Sequence, residues 1–343
     1  MSQAQQSGAK DVSASSAGEP GDGSGGVSAA AAERRAIPPF ACEGEWIAAD
    51  GWPLRRIDLP GDPGQPRGSI LFLSGRGDFY EKYLESLIEW HCAGWQVTAF
   101  DWRGQGGSGR LGKDPLTGHI DDFSTWVGDL AAFWTQWRGQ TPGPHIVIAH
   151  SMGGHLALRA LVERQIDPAA LVIAAPMLGL AGQPLPPAAM QAIARLMMRL
   201  GDPARPAWKW SDKPGELPSR RTSLLTHDPQ RYADEPWWRA ARPQVAMGPG
   251  SWRWVERAYA SMRELDRPGV LEAVDVPVLL LGSRNDKLVS FAAIERAAGR
   301  LPNAELVAFG EEAHHEILRE EDAVRGRAMV AIGEFLDRVA PRG

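Results

Sequence analysis

From Ser69 onward, short β-rich apolar runs alternate with longer stretches of helical periodicity, and this alternation restricts the possible folds more than any other feature. "SILFLS" (69–74), "WQVTAF" (95–100), 145–149, "ALVIAA" (170–175), "VPVLLLGS" (276–283) and "AELVAF" (304–309) have the length of buried strands. The segments between them predict helices over 80–94, 121–139, 153–164 and 290–300, with a last one over about 321–339. Strands buried on both faces and separated by helices pair in a mostly parallel sheet with helices on either side. Upstream, "GEWIAADGWPLRRIDL" predicts two further strands joined by a turn at Asp50 and Gly51.

The alternation stops at Pro176 and resumes about a hundred residues later, far beyond the length of an ordinary connection. The interval predicts an inserted cap over about 177–263, containing the helix "PAAMQAIARLMMRL" and irregular Pro- and Trp-rich segments. Residues 1–35 are rich in Ser, Gly, Ala and Gln and predict a disordered tail, leaving 36–343 as the folded domain. The tail has no apolar core of signal-peptide type, and no apolar run approaches the roughly 20 residues of a membrane span. Two cysteines, Cys42 and Cys92, are too few for a disulfide framework or a zinc site and fit a cytoplasmic protein. The net charge of -5 gives no reason to expect nucleic acid as a partner.

Chemistry concentrates at "IVIAHSMGGHLAL" (146–158), where a strand runs into a helix through one serine, Ser151. Small residues at Ala149 and Gly153 let the backbone turn sharply, the pattern of a nucleophile elbow that displays a hydroxyl at the carboxyl edge of a sheet. A serine needs a base to take its proton and a third group to orient that base. In such a sheet the acid follows one late strand and the histidine the next. "LLLGSRNDKLV" supplies Asp286, and "VAFGEEAHHEIL" supplies His314 and His315. His150 and His155, beside the serine, are read as pointing elsewhere. The backbone N–H of Met152 is one expected oxyanion donor, and that of Arg76, in "SGRGDFYEKY", the other. In "DWRGQGGSGR" (101–110), Asp101 and Arg103 are expected to pair and brace their loop. The glycines of these loops match neither the phosphate loop nor the dinucleotide fingerprint, and no metal or organic cofactor is required.

On the stretches "SGRGDFYEKY", "DWRGQGGSGR", "AHSMGGH", "GSRNDKLV" and "HHEILRE", spread in order over about residues 70–320, the chain resembles the α/β-hydrolase superfamily. Within it, the chain resembles the monoacylglycerol lipase and bacterial lysophospholipase (PldB-type) group. In the lysophospholipase branch the catalytic histidine is followed by Glu, which implies His315, with Glu316 behind it, rather than His314. Ser74-Gly75 stands where monoacylglycerol lipases have His-Gly, and Ala149 where they have Gly. The resemblance implies a serine hydrolase cleaving carboxylic esters of single-chain lipids through an acyl-enzyme. The alternatives are an esterase or aminopeptidase-like hydrolase with a non-lipid substrate, and a non-catalytic lipid-binding protein on the same fold.

The cap bears on the substrate. Residues 177–263 carry 13 Lys and Arg against 7 Asp and Glu, and include Trp208, Trp210, Trp237, Trp238, Trp252 and Trp254. On its helix Met190, Ile193, Ala194 and Met197 share one face, and Gln191, Arg195 and Arg199 another. Two readings follow. Either the apolar face packs over the sheet and the arginines are solvated, or the apolar face lines an acyl tunnel while the basic face rests on anionic lipid. The second predicts peripheral contact with the inner membrane face.

Overall fold

The computed structural model describes residues 29–61, 66–209 and 222–341. Eight strands among the described residues form one sheet: β1 (Cys42–Ile47), β2 (Pro53–Leu59), β3 (Ser69–Leu73), β4 (Gln96–Phe100), β5 (His145–His150), β6 (Ala170–Ala174), β7 (Val278–Ser283) and β8 (Ala304–Phe309). Their spatial order is β1-β2-β4-β3-β5-β6-β7-β8. β1 and β2 pair antiparallel, as do β2 and β4, and every other neighbour is parallel. Ten α-helices accompany them: α1 (Ala29–Arg34), α2 (Leu84–Cys92), α3 (Phe123–Gln140), α4 (Met152–Val162), α5 (Pro187–Arg199), α6 (Thr222–Leu225), α7 (Pro229–Ala241), α8 (Trp252–Leu265), α9 (Phe291–Arg300) and α10 (Asp322–Val339).

The central strands are buried along their whole length, as strands covered on both faces must be. Alternate residues serve opposite cores. Leu71, Leu73, Val147, Ala149, Leu171 and Ile173 pack with α3, α4, α8 and α9. Ile70, Phe72, Ile146, Ile148, Val172 and Ala174 pack with α2, α7 and α10. From β3 the chain crosses to β4 through α2 and returns through α3 to β5, on the other side of β3. α2 and α4 therefore leave adjacent strands toward opposite faces, and the crevice between the carboxyl ends of β3 and β5 is a switch point where ligands bind in such sheets.

Side-chain caps fix several helix starts near the expected positions: Asp122 accepts from Ser124 N–H, and Ser290 from Ala293 N–H. The stretch expected as one helix over 80–94 divides into a 3₁₀ turn, Tyr80–Tyr83, and α2. Residues 1–28 of the expected tail, and Trp210, lie outside the described residues. Ala29–Arg34, also expected in that tail, is helical. It is tied down because Arg34 and Arg35 both pair with Asp234 of α7, at 2.5 and 2.8 Å.

Two side-chain expectations are corrected. Asp101 and Arg103 do not pair with each other. Asp101 holds Arg55 (2.6 Å), and Arg103 forks across Asp129 (2.7 Å) and Asp50 (2.6 Å), so both still brace the loop but from different sides. On α5 the expected apolar face is divided: Met190 lines a cavity and Ala194 is buried, whereas Ile193 is exposed. Buried Glu256 of α8 draws in Gln191 and Arg195, each at 2.8 Å, so the polar side of α5 faces α8. Ile193, Leu196 and Leu200 are left 39%, 54% and 69% exposed.

The turn at the head of α4 leaves no space for a side chain. A Cβ on Gly153 would lie 2.4 Å from the Ser74 carbonyl oxygen and 2.5 Å from that of Leu73. Gly153→Ala is expected to lower the unfolding free energy by about 2 kcal/mol in urea titrations. An unchanged midpoint would show that the β3–α4 contact yields freely.

Candidate active site

β5 ends at His150, and the next residue, Ser151, has φ 51° and ψ -116°, a conformation rarely adopted by a residue with a side chain. Its backbone is held on three sides. Ser151 N–H donates to the Ala174 carbonyl (2.9 Å), and its own carbonyl accepts from the N–H groups of His155 and Met177, each at 3.1 Å. The hydroxyl is thereby set above the sheet.

The loops after β7 and β8 bring two side chains to it. Asp286 Oδ1 accepts the N–H groups of Leu288 (2.7 Å) and Val289 (3.0 Å), which leaves Oδ2 aimed at His315 Nδ1, 2.7 Å away. His315 Nε2 is 2.9 Å from Ser151 Oγ. An ionised carboxylate only accepts, so His315 carries its proton on Nδ1 and offers the Nε2 lone pair to the serine hydroxyl. Burial pushes the His315 imidazole toward neutrality, but the charge and hydrogen bond of Asp286, with the charges of Glu316 and Asp78, raise its pKa above the ordinary value of 6.5. Burial likewise opposes ionisation of Asp286, yet His315 and the two backbone donors hold its pKa below the ordinary carboxylate value.

His314 points away. Its ring stacks on His227 with centroids 3.7 Å apart, and its backbone N–H donates to Glu320 (2.7 Å). His155 bonds Ser261 (2.7 Å), remote from the hydroxyl. His150, by contrast, is not turned elsewhere: its ring lies 4.9 Å from that of His315, and its Nε2 is 3.3 Å from the His315 carbonyl oxygen.

The expected oxyanion donors border the nucleophile. Met152 opens α4, where backbone N–H groups project from the helix end. Arg76 sits in the loop after β3. There a Cβ on Gly75 would come within 3.2 Å of the Ser151 Cβ, and the loop is pinned on both sides of Arg76. Gly75 N–H donates to Asp78 (3.1 Å), and Gly77 N–H to Gln105 (2.7 Å).

A buried cluster of charges, which sequence reasoning missed, lies behind these groups. Lys82 Nζ reaches Asp78 (2.5 Å), Glu235 of α7 (2.8 Å) and Glu316 (2.8 Å), all four side chains being nearly inaccessible. Arg319 pairs with Glu316, and Arg239 with Glu235. Asp78 also accepts from Tyr83 Oη (2.8 Å). One lysine thus joins the loop after β3, the residue beside His315, and α7. The only hint in the sequence was Asp78 four residues before Lys82, a spacing that more often marks a solvated pair.

The hydroxyl opens into a cavity of about 770 Å³. Met177, Leu180, Met190, Val255, Leu288 and Val289 give it apolar walls, while Arg76, Trp208, Trp254 and Gly248 line another part. That volume lies within the usual range for small-molecule sites.

A family model described as serine aminopeptidase, S33 matches residues 64–322. The chain is 31% identical over 308 residues to lysophospholipase L2 of Escherichia coli (strain K12), covering 86% of this chain and 87% of that protein. It is 26% identical to a probable lysophospholipase L2 of Haemophilus influenzae, over 79% of this chain and 84% of the other. Among solved structures, a soluble variant of monoglyceride lipase from Saccharomyces cerevisiae, in complex with a substrate analogue, superposes with a TM-score of 0.68 at 18% identity. That match covers 89% of this chain and 96% of the other.

The electrostatics predict a pH profile. A base must be neutral to accept a proton, so activity falls as pH drops through the His315 pKa, and the acid limb of kcat/KM is expected above 6.5. Lys82→Met removes the cation shared by Asp78 and Glu316, which both raise the His315 pKa, and leaves only Arg319 on Glu316, so the limb is expected to move to still higher pH. A limb that stays in place would remove Lys82 from the electrostatics of the base.

Proposed function

The chain belongs to the serine aminopeptidase S33 family, and from that membership and the cavity at its serine we propose a serine hydrolase of carboxylic esters of single-chain lipids, a lysophospholipase or monoacylglycerol lipase. Ser151 Oγ attacks the ester carbonyl carbon while its proton passes to His315 Nε2. Asp286 keeps the imidazole in the required tautomer and stabilises its positive charge. The N–H groups of Met152 and Arg76 receive the oxyanion. His315 then protonates the departing alcohol, and water attacks the acyl-enzyme by the same proton path, releasing the fatty acid and restoring the serine.

The observation that carries this reading is the 2.7 and 2.9 Å relay opening into a largely apolar cavity. The relative from E. coli named lysophospholipase L2 points the same way. A peptidase acting on free N-termini needs an unpaired carboxylate to hold the substrate ammonium. The two carboxylates lining this cavity, Asp78 and Glu316, are both engaged by Lys82. The intact relay likewise speaks against a binding protein without catalysis.

Residues 177–263 serve as a cap over the site, supplying much of the cavity wall. The outward ridge at α5 (Ile193 and Leu196, with Leu200 just past its end and Arg199 alongside) suits an anionic lipid surface, with the leucines entering the interface and Arg199 meeting head groups. No described helix is long and apolar enough to cross a membrane. From the exposed ridge of α5 and the scarcity of cysteine we propose a cytoplasmic protein, peripheral on the inner membrane face.

A fluorophosphonate probe is expected to label the wild type and not Ser151→Ala, and Asp286→Asn should lower kcat by about 10⁴-fold. Turnover confined to short p-nitrophenyl esters, with none on lysophospholipid or monoacylglycerol, would reject the lipid assignment. Pelleting with vesicles is expected to increase with anionic lipid and to drop on Leu196→Asp with Leu200→Asp. Equal pelleting with neutral and anionic vesicles would reject the membrane contact.

A further inference from the structure

The cavity has two chemically different sides, set by the order of the strands. On one side of β5 stand the loops after β6 and β7, which contribute Met177, Leu180, Leu288 and Val289. On the other side stands the loop after β3, with Arg76, the one Lys or Arg side chain lining the cavity among the described residues. Two indole rings hold its guanidinium in place, with Trp208 and Trp254 each 5.0 Å from it and 6.3 Å from one another. Arg76 Nη2 donates to the Gly248 carbonyl (2.7 Å). The wall bearing that carbonyl is itself stitched to a neighbouring loop: Gly118 N–H donates to Pro249 (2.8 Å), Gly248 N–H to Leu116 (2.7 Å) and Ser251 N–H to Gly118 (2.9 Å).

We infer that Arg76 is the specificity residue for a phosphate in the substrate's head group, which makes a lysophospholipid rather than a monoacylglycerol the preferred ester. This deepens the lipid-esterase reading and rests on it. The argument turns on reach. In a 1-acyl glycerophospholipid six bonds separate the ester carbonyl carbon from phosphorus, and six separate an arginine's backbone nitrogen from its guanidinium carbon, each path spanning up to about 7 Å. A carbonyl oxygen resting on the Arg76 N–H therefore leaves the phosphate of the same molecule within range of the Arg76 side chain. The planar guanidinium matches phosphate oxygens in geometry, and stacking limits the rotamer freedom lost on binding. The acyl chain then lies on the opposite, apolar side. The two carboxylates on the wall are offset by buried cations, Asp78 by Lys82 and Glu316 by Lys82 and Arg319.

The test compares kcat/KM for lysophosphatidylcholine and monooleoylglycerol on the full-length protein, with fluorophosphonate labelling as a measure of an assembled site. Arg76→Gln is expected to lower the lysophospholipid-to-monoacylglycerol ratio about ten- to hundred-fold, the size of a lost charge-assisted hydrogen bond, and Arg76→Lys to restore part of it. Trp208→Ala, at an already exposed ring, should lower the ratio in the same direction by freeing the guanidinium. An unchanged ratio in Arg76→Gln, with both substrates still turned over, overturns the inference and leaves the esterase reading standing. Failure of the wild type on both substrates overturns the two together. Glycerophosphocholine is expected to compete with lysophospholipid in the wild type and not in Arg76→Gln. Equal competition by inorganic phosphate would mark a general anion site and overturn the head-group assignment.

Discussion

The first turn of α4 rests directly on the carboxyl end of β3, so close that only hydrogen fits where the Gly153 side chain would be. That contact forces the chain leaving β5 into a single sharp path, and Ser151 occupies the strained point of it at φ 51°. Backbone strain of this kind costs on the order of 1–3 kcal/mol and persists only where the surroundings impose it. Here they do, through the hydrogen bonds to Ala174, His155 and Met177. The other site groups are placed relative to that fixed hydroxyl. Asp286 and His315 come from loops at the same edge of the sheet, and the β3 loop closes in from the opposite side.

A second constraint acts through charge. Three carboxylates with almost no exposure would be costly singly, and they are tolerable because Lys82, with Arg239 on Glu235 and Arg319 on Glu316, supplies the opposite charge. The arrangement has a directional effect on catalysis. Asp78 and Glu316 favour a positive His315, as Asp286 does, and Lys82 sits as a cation between those two carboxylates. It also ties α7 to the loop after β3 that carries Gly75, so the two share one anchor.

Polar burial also reorganises α5. Buried Glu256 needs donors, and Gln191 and Arg195 provide them. The hydrogen bonds of one carboxylate thereby turn a row of aliphatic side chains outward, next to Met190, which lines the cavity from the same helix. An exposed apolar ridge beside the cavity suits a substrate drawn from a lipid surface.

The sequence by itself determined the sheet, its parallel centre, the turn at Ser151, and the order in which acid and histidine follow. These are local signals: strand and helix periods differ, and glycine and serine at a strand–helix junction leave few backbone solutions. It also placed a long insertion between β6 and β7. Only the tertiary structure decided what faces what. It separated His315 from His314 by geometry, set His150 beside His315, parted Asp101 from Arg103, and gathered Asp78 and Lys82, Glu235, and Glu316 from three places in the chain. Helical periodicity shows that two faces of α5 differ but not which one a neighbour will bury. That choice follows Glu256, more than fifty residues away. Its Oε2 is held by Arg257 and its buried Oε1 takes its donors, Gln191 and Arg195, from α5, because an unsatisfied buried carboxylate oxygen costs more than a few exposed methyl groups.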